Sequence, residues 1–158
     1  MNRTSVAPRP APAVTALPWN AGLSRSLSPR LIWIVDPEIS HQESILWAAR
    51  LANLDVTFAS ISGQVAAIEE LARTTQSPAI IITDYRGDLK INGAEFIARA
   101  RQQCHPKTRF VMFSTLVEDA AQFRRLVGDG YHLPDAIVPK PDVFKLSDVL
   151  GRMLSPDR

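Results

Sequence analysis

The distribution of apolar and polar positions divides the chain near residue 30. Beyond it, short apolar runs alternate with amphipathic stretches. LIWIV (31–35), AIIIT (79–83) and RFVMFS (109–114) are nearly unbroken apolar runs, as expected of strands covered on both faces. DVTFAS (55–60) and DAIVP (135–139) complete a set of five predicted strands. The segments between them have helical period. Ser40-His41-Gln42-Glu43 has the spacing of a capping box, and the helix it opens turns Ile45, Ala48, Ala49 and Ala52 inward. Residues 64–74 predict a helix through Val65, Ile68, Leu71 and Ala72, and residues 93–102 one through Phe96, Ile97 and Ala100. Thr115-Leu116-Val117-Glu118 repeats the capping-box spacing and opens a helix to about residue 128. Asp142 begins a last helix carrying Val143, Leu146, Leu150 and Met153.

Five strands alternating with five helices require parallel strands joined by right-handed crossovers. The expected fold is α/β: a flavodoxin-like, doubly wound (βα)5 three-layer sandwich with strand order 2-1-3-4-5. In such folds the functional site lies outside the carboxyl ends of the strands, where the strand order switches. That position acts as a filter on candidate residues.

Residues 1–29 differ in kind. They are rich in Pro, Ser, Ala and Arg and show no sustained period, and their prolines would interrupt a helix. A disordered or loosely attached tail is expected, with 30–158 as the folded domain and Trp19 as the tail's candidate for docking on it. The tail lacks the apolar core of a secretory signal. It is Arg-rich and acid-free like an organellar transit peptide, but its amphipathicity is poor.

Charge follows the same division. Arg3, Arg9, Arg25 and Arg30 face no acid within residues 1–30, leaving 14 of the 18 basic residues against all 16 acidic ones afterwards. The basic pI therefore belongs to the tail, and no nucleic-acid-binding face is expected on the domain. No apolar run approaches the ~20 residues of a membrane span, so no membrane insertion is expected. Cys104 is the only cysteine, which excludes an internal disulfide and fits a reducing, cytoplasmic compartment. No glycine-rich phosphate loop follows the first strand, which argues against nucleotide or flavin binding. His41, His105 and His132 are scattered without metal-ligand spacing.

The strand-end filter selects four residues. Asp36 follows the first strand, Asp84 the third, Ser114 ends the fourth, and Lys140 follows the fifth. A single strand-end Asp is more often a helix cap than a reactive group. Two acids, a hydroxyl and an ammonium converge on one edge, and all four at matching strand ends are much harder to attribute to capping.

The stretches LIWIVDPE, AIIITDYRGDLKING, RFVMFST and AIVPKP together resemble the receiver domain of two-component response regulators, over about residues 30–154. The Lys-Pro after the fifth strand is the most specific of these matches. The resemblance implies that Asp84 accepts a phosphoryl group from a histidine kinase or histidine phosphotransfer protein. It implies that Ser114 and Lys140 hold the phosphoryl oxygens, and that Lys140-Pro141 is a cis peptide. It also implies a Mg²⁺ ion held by Asp36, Glu38, Asp84 and the backbone carbonyl of Arg86. With no output domain following residue 158, a single-domain phosphoprotein that signals through protein partners is expected, and not an enzyme.

The physical logic stands beside the resemblance. A carboxylate attacks a phosphoryl group poorly because both are anionic, and a cation and a lysine offset that repulsion. The family usually has two adjacent acids after the first strand; here Pro37 replaces the second, so Mg²⁺ binding is expected to be weak. Apart from any metal role, Asp36 would cap the following loop or pair with Lys140. The position of the family's aromatic switch is Ile137, and Tyr131 is expected to pack on the surface rather than replace it. Two alternatives follow from these departures. One is a degenerate pseudo-receiver that acts as a phosphorylation-independent interaction module. The other is a small hydrolase using Asp84, for which no general base or substrate pocket is evident.

Overall fold

The computed structural model describes residues 30–155; the expected tail, Trp19 included, lies outside the described residues. The strands are β1 (Arg30–Val35), β2 (Val56–Ile61), β3 (Ile80–Thr83), β4 (Arg109–Ser114) and β5 (Ala136–Pro139). The helices are α1 (Ile39–Leu51), α2 (Gln64–Leu71), α3 (Gly93–Arg101), α4 (Ala120–Val127) and α5 (Val143–Leu154). All strand pairs are parallel and the sheet order is β2-β1-β3-β4-β5, as the alternation predicts. No helix among the described residues is long and apolar enough to cross a membrane.

The apolar strands supply two cores, because successive side chains leave a strand on opposite faces. Ile32, Ile34, Ile80, Ile82, Val111 and Phe113 face one side, where Ile45 and Ala48 of α1 and Leu146 and Leu150 of α5 cover them. Trp33, Val35, Ile81, Phe110 and Met112 face the other, under α2, α3 and α4, with Phe96 and Phe123 fully buried there. Register holds the central strands level: Ile34 pairs with Ile82, and Ile82 with Val111. The carboxyl ends of β1, β3, β4 and β5 therefore finish along one edge.

Both capping-box expectations need correction. α1 begins at Ile39 with Glu38 as its cap residue, and Ser40 lies inside the first turn. The cause is Asp36, whose Oδ1 accepts the Glu38 N–H at 2.9 Å and turns the chain directly off the strand. The Ser40 hydroxyl donates back to Glu38 Oε1 at 2.8 Å. At the other site Thr115 does not cap. Val117 is fully buried and keeps the segment out of the helix, and Asp119 caps α4 by accepting the Gln122 N–H at 2.7 Å. Asp142 caps α5 as expected, accepting the Lys145 N–H at 2.9 Å. α2 stops at Leu71, which leaves Ala72 exposed, and Ala67 takes its expected place inside.

Candidate functional site

Each strand delivers one polar group to the shared edge. Asp36 follows β1 and is buried, with 4% of its surface exposed. Asp84 follows β3, Ser114 ends β4 in full burial, and Lys140 follows β5. The Lys140 N–H donates to the Ser114 carbonyl at 2.9 Å, extending the β4–β5 ladder by one residue. Lys140-Pro141 is cis, as the resemblance implied.

The Lys140 ammonium is the centre of the arrangement. It donates to Asp36 Oδ2 at 2.8 Å and to Asp84 Oδ2 at 3.0 Å, and it lies 2.7 Å from Nδ1 of His41. Its stem is buried, with Nζ 5.6 Å from the centre of the Phe113 ring. Asp36 thus both caps the loop and pairs with Lys140. Gln42 Nε2 donates to its backbone carbonyl at 2.8 Å, which steadies the loop further.

Asp84 is held in its ionised form. Burial pushes its carboxyl upward. The Ser114 hydrogen bond, the Lys140 charge and hydrogen bond, and the Tyr85 amide together outweigh burial and hold it below the ordinary carboxylate value. The Tyr85 N–H reaches Asp84 Oδ1 at 2.6 Å. Beneath this loop, Gln64 Nε2 donates to the Asp84 carbonyl at 2.8 Å and to Thr83 Oγ1 at 3.2 Å. Gly93 closes the loop with a 2.7 Å hydrogen bond to the Tyr85 carbonyl. A Cβ at Gly93 would lie 2.4 Å from the Asp84 carbonyl oxygen, so only glycine fits there.

Of the five side chains expected at the site, four meet there: Asp36, Asp84, Ser114 and Lys140. Glu38 does not join them. Its side chain is 61% exposed, accepts from Ser40, and lies 3.4 Å from Nε2 of His41 on the ring's outer side. Arg86, expected to contribute its backbone carbonyl, lies in the loop after β3 with the residue exposed. Sequence reasoning missed His41 and Gln64. The signal for His41 was available, since a helix starting at Ile39 puts residue 41 in its first turn, beside the strand end. Gln64 gave none; only its complete burial against the loop after β3 reveals it. Ligand atoms of Asp36, His41 and Asp84 all lie within 4.8 Å of one another. Tyr131 packs partly buried against the core, as does Ile137. Cys104 lies elsewhere, and burial pushes its thiol up to about 11.

No family model and no curated protein matches the chain. Solved structures do. A response regulator from Thermotoga maritima superposes with a TM-score of 0.61 at 14% identity, over 82% of this chain and 100% of that one. The chemotaxis response regulator CheY4 of Vibrio cholerae gives 0.61 at 18% identity, over 80% and 100%. The signal receiver domain of an HD domain-containing protein from Pseudomonas fluorescens Pf-5 gives 0.63 at 20%, over 84% and 91%. At such identities the likeness speaks for architecture, and the described chain has the fold of response regulator receiver domains.

Proposed function

We propose that the chain is a receiver that accepts a phosphoryl group on Asp84 from a histidine kinase or histidine phosphotransfer protein, and signals by binding a protein partner in the cytoplasm. The observation that carries this is Asp84, held below its ordinary carboxyl value by the Ser114 hydroxyl and the Lys140 ammonium against burial, at the carboxyl edge of the sheet. In the transfer, an Asp84 oxygen forms the new P–O bond as the bond from phosphorus to the donor's imidazole nitrogen breaks. The electron pair stays on that nitrogen. Lys140 and Ser114 are the donors that stabilise the transferred oxygens. Asp36 and Asp84 are the carboxylates that would hold a divalent cation, whose charge would offset repulsion between the two anions. The fit to Mg²⁺ is incomplete. Pro37 supplies no ligand, Glu38 faces away, and the third donor of the cluster is an imidazole nitrogen rather than an oxygen.

Labelling with acetyl phosphate, read by intact mass, tests the proposal. Wild type gains one phosphoryl group, Asp84→Asn gains none, and Asp36→Asn gains it more slowly. Labelling that survives Asp84→Asn identifies a different acceptor. Pro37 and Ile137 favour a second reading, the phosphorylation-independent interaction module. That reading stands if wild type and Pro37→Asp both stay unlabelled at high Mg²⁺ while partner binding survives Asp84→Asn.

A further inference from the structure

His41 has no part in the phosphoryl transfer proposed above, yet its ring faces the same pocket. An ammonium can only donate hydrogen bonds. Nδ1 of His41 lies 2.7 Å from Lys140 Nζ and 3.0 Å from Asp36 Oδ2, so with the ring proton on Nε2 it turns its lone pair to the cation, and with the proton on Nδ1 it donates to Asp36. The outer nitrogen, Nε2, faces Glu38 Oε2 at 3.4 Å, and Glu38 is itself held by Ser40. A carboxylate behind an imidazole whose free lone pair faces a cation is the orientation that metal-bound histidines use. Asp36 Oδ2 and Asp84 Oδ2 bring two anionic oxygens to the same focus. The Lys140 ammonium lies where these three donors converge, so the pocket is already shaped around a small cation.

The chemistry of the donors indicates which cation. Mg²⁺ takes oxygen ligands and keeps its waters, whereas an imidazole with carboxylates suits zinc and its first-row neighbours. We propose that Asp36, His41 and Asp84 form a binding site for a divalent transition ion of the zinc type, which displaces the Lys140 ammonium and is preferred over Mg²⁺. The ammonium rides on a flexible four-carbon stem and can leave the focus without moving the backbone. The inference deepens the receiver reading and rests on it only for the ion's purpose, because binding is measured without any phosphoryl transfer.

The test uses the full chain, with Co²⁺ as a visible probe and Zn²⁺ and Mg²⁺ as competitors. The expected result is a Co²⁺ absorption band of low-coordinate type. Zn²⁺ abolishes it at concentrations about 100-fold or more below any effect of Mg²⁺. His41→Gln weakens Zn²⁺ binding at least about tenfold, and Lys140→Met strengthens it by removing the competing ammonium. A triple variant, Cys104→Ser with His105→Gln and His132→Gln, retains wild-type affinity. In wild type itself, Zn²⁺ shifts the ring resonances of His41 in NMR spectra, which keeps the test open should His41→Gln fail to fold. The proposal is overturned by equal affinity for Mg²⁺ and Zn²⁺, by undiminished binding in His41→Gln, by loss of binding in the triple variant, or by no binding at all. Loss of labelling in Asp84→Asn bears on the receiver function alone, so the two can fail separately.

Discussion

Replacing Lys140 with Met keeps the apolar stem and removes the charge. Two carboxylates then remain with their oxygens within 4.8 Å of each other and side chains 5% and 15% exposed. At an effective dielectric of about 20, two like charges at that distance repel by about 3.5 kcal/mol. The alternative is to protonate one acid. From an ordinary value of about 3.9 this costs about 4 kcal/mol at pH 7, but less than about 1 kcal/mol at pH 4.5. The smaller of the two penalties sets the cost at each pH. Relief of the ammonium's own burial offsets part of it, leaving about 3 kcal/mol at neutral pH, in line with removing one partner of a buried pair. With a urea slope of about 2 kcal/mol/M, the midpoint falls by about 1.5 M at pH 7 and by much less at pH 4.5. Adding Asp84→Asn to Lys140→Met recovers most of the loss. The assay is urea unfolding followed by circular dichroism at both pH values. A pH-independent loss, or no recovery in the double variant, would show that Lys140 acts through packing and not as the counter-ion of this pocket.

Gly93→Ala places a methyl 2.4 Å from the Asp84 carbonyl oxygen and 3.0 Å from the Tyr85 Cα, both backbone atoms that yield little. A loss of about 2–3 kcal/mol in chemical unfolding is expected, with slower phosphoryl labelling because the loop after β3 shifts. Asp84 is held below its ordinary value, so its contribution to stability is present above the unfolded-state value of 3.8 and disappears as pH falls through the lower folded value. The stability of wild type relative to Asp84→Asn should therefore rise with pH through the acid range below the unfolded-state value of 3.8 and level off above it. A flat difference across that range would mean that the carboxyl is not favoured in its charged form.

Asp36, Asp84, Ser114 and Lys140 were legible in the sequence for a simple reason. Apolar runs mark where strands end, and in a parallel sheet all carboxyl ends meet at one edge. Once the alternation of strands and helices is read, placing these four together requires no knowledge of side-chain packing. The two core faces follow equally from a period of two along β1, β3 and β4. The departures arose where local signals competed. Ser40 and Thr115 both have the spacing of a cap. Asp36 took the Glu38 N–H first, and burial of Val117 delayed α4 until Asp119. Those choices depend on a side chain reaching back across a turn and on a core contact, which local spacing does not encode. His41 is a consequence: in an α1 that starts at Ile39, its ring lies beside Lys140. Gln64 and Gly93 owe their roles to the path of the loop after β3 over α2 and α3, set by long-range packing. The strand-end chemistry was thus determined locally. The place of His41 beside Lys140, and the support beneath Asp84, were decided only when separate elements came into contact.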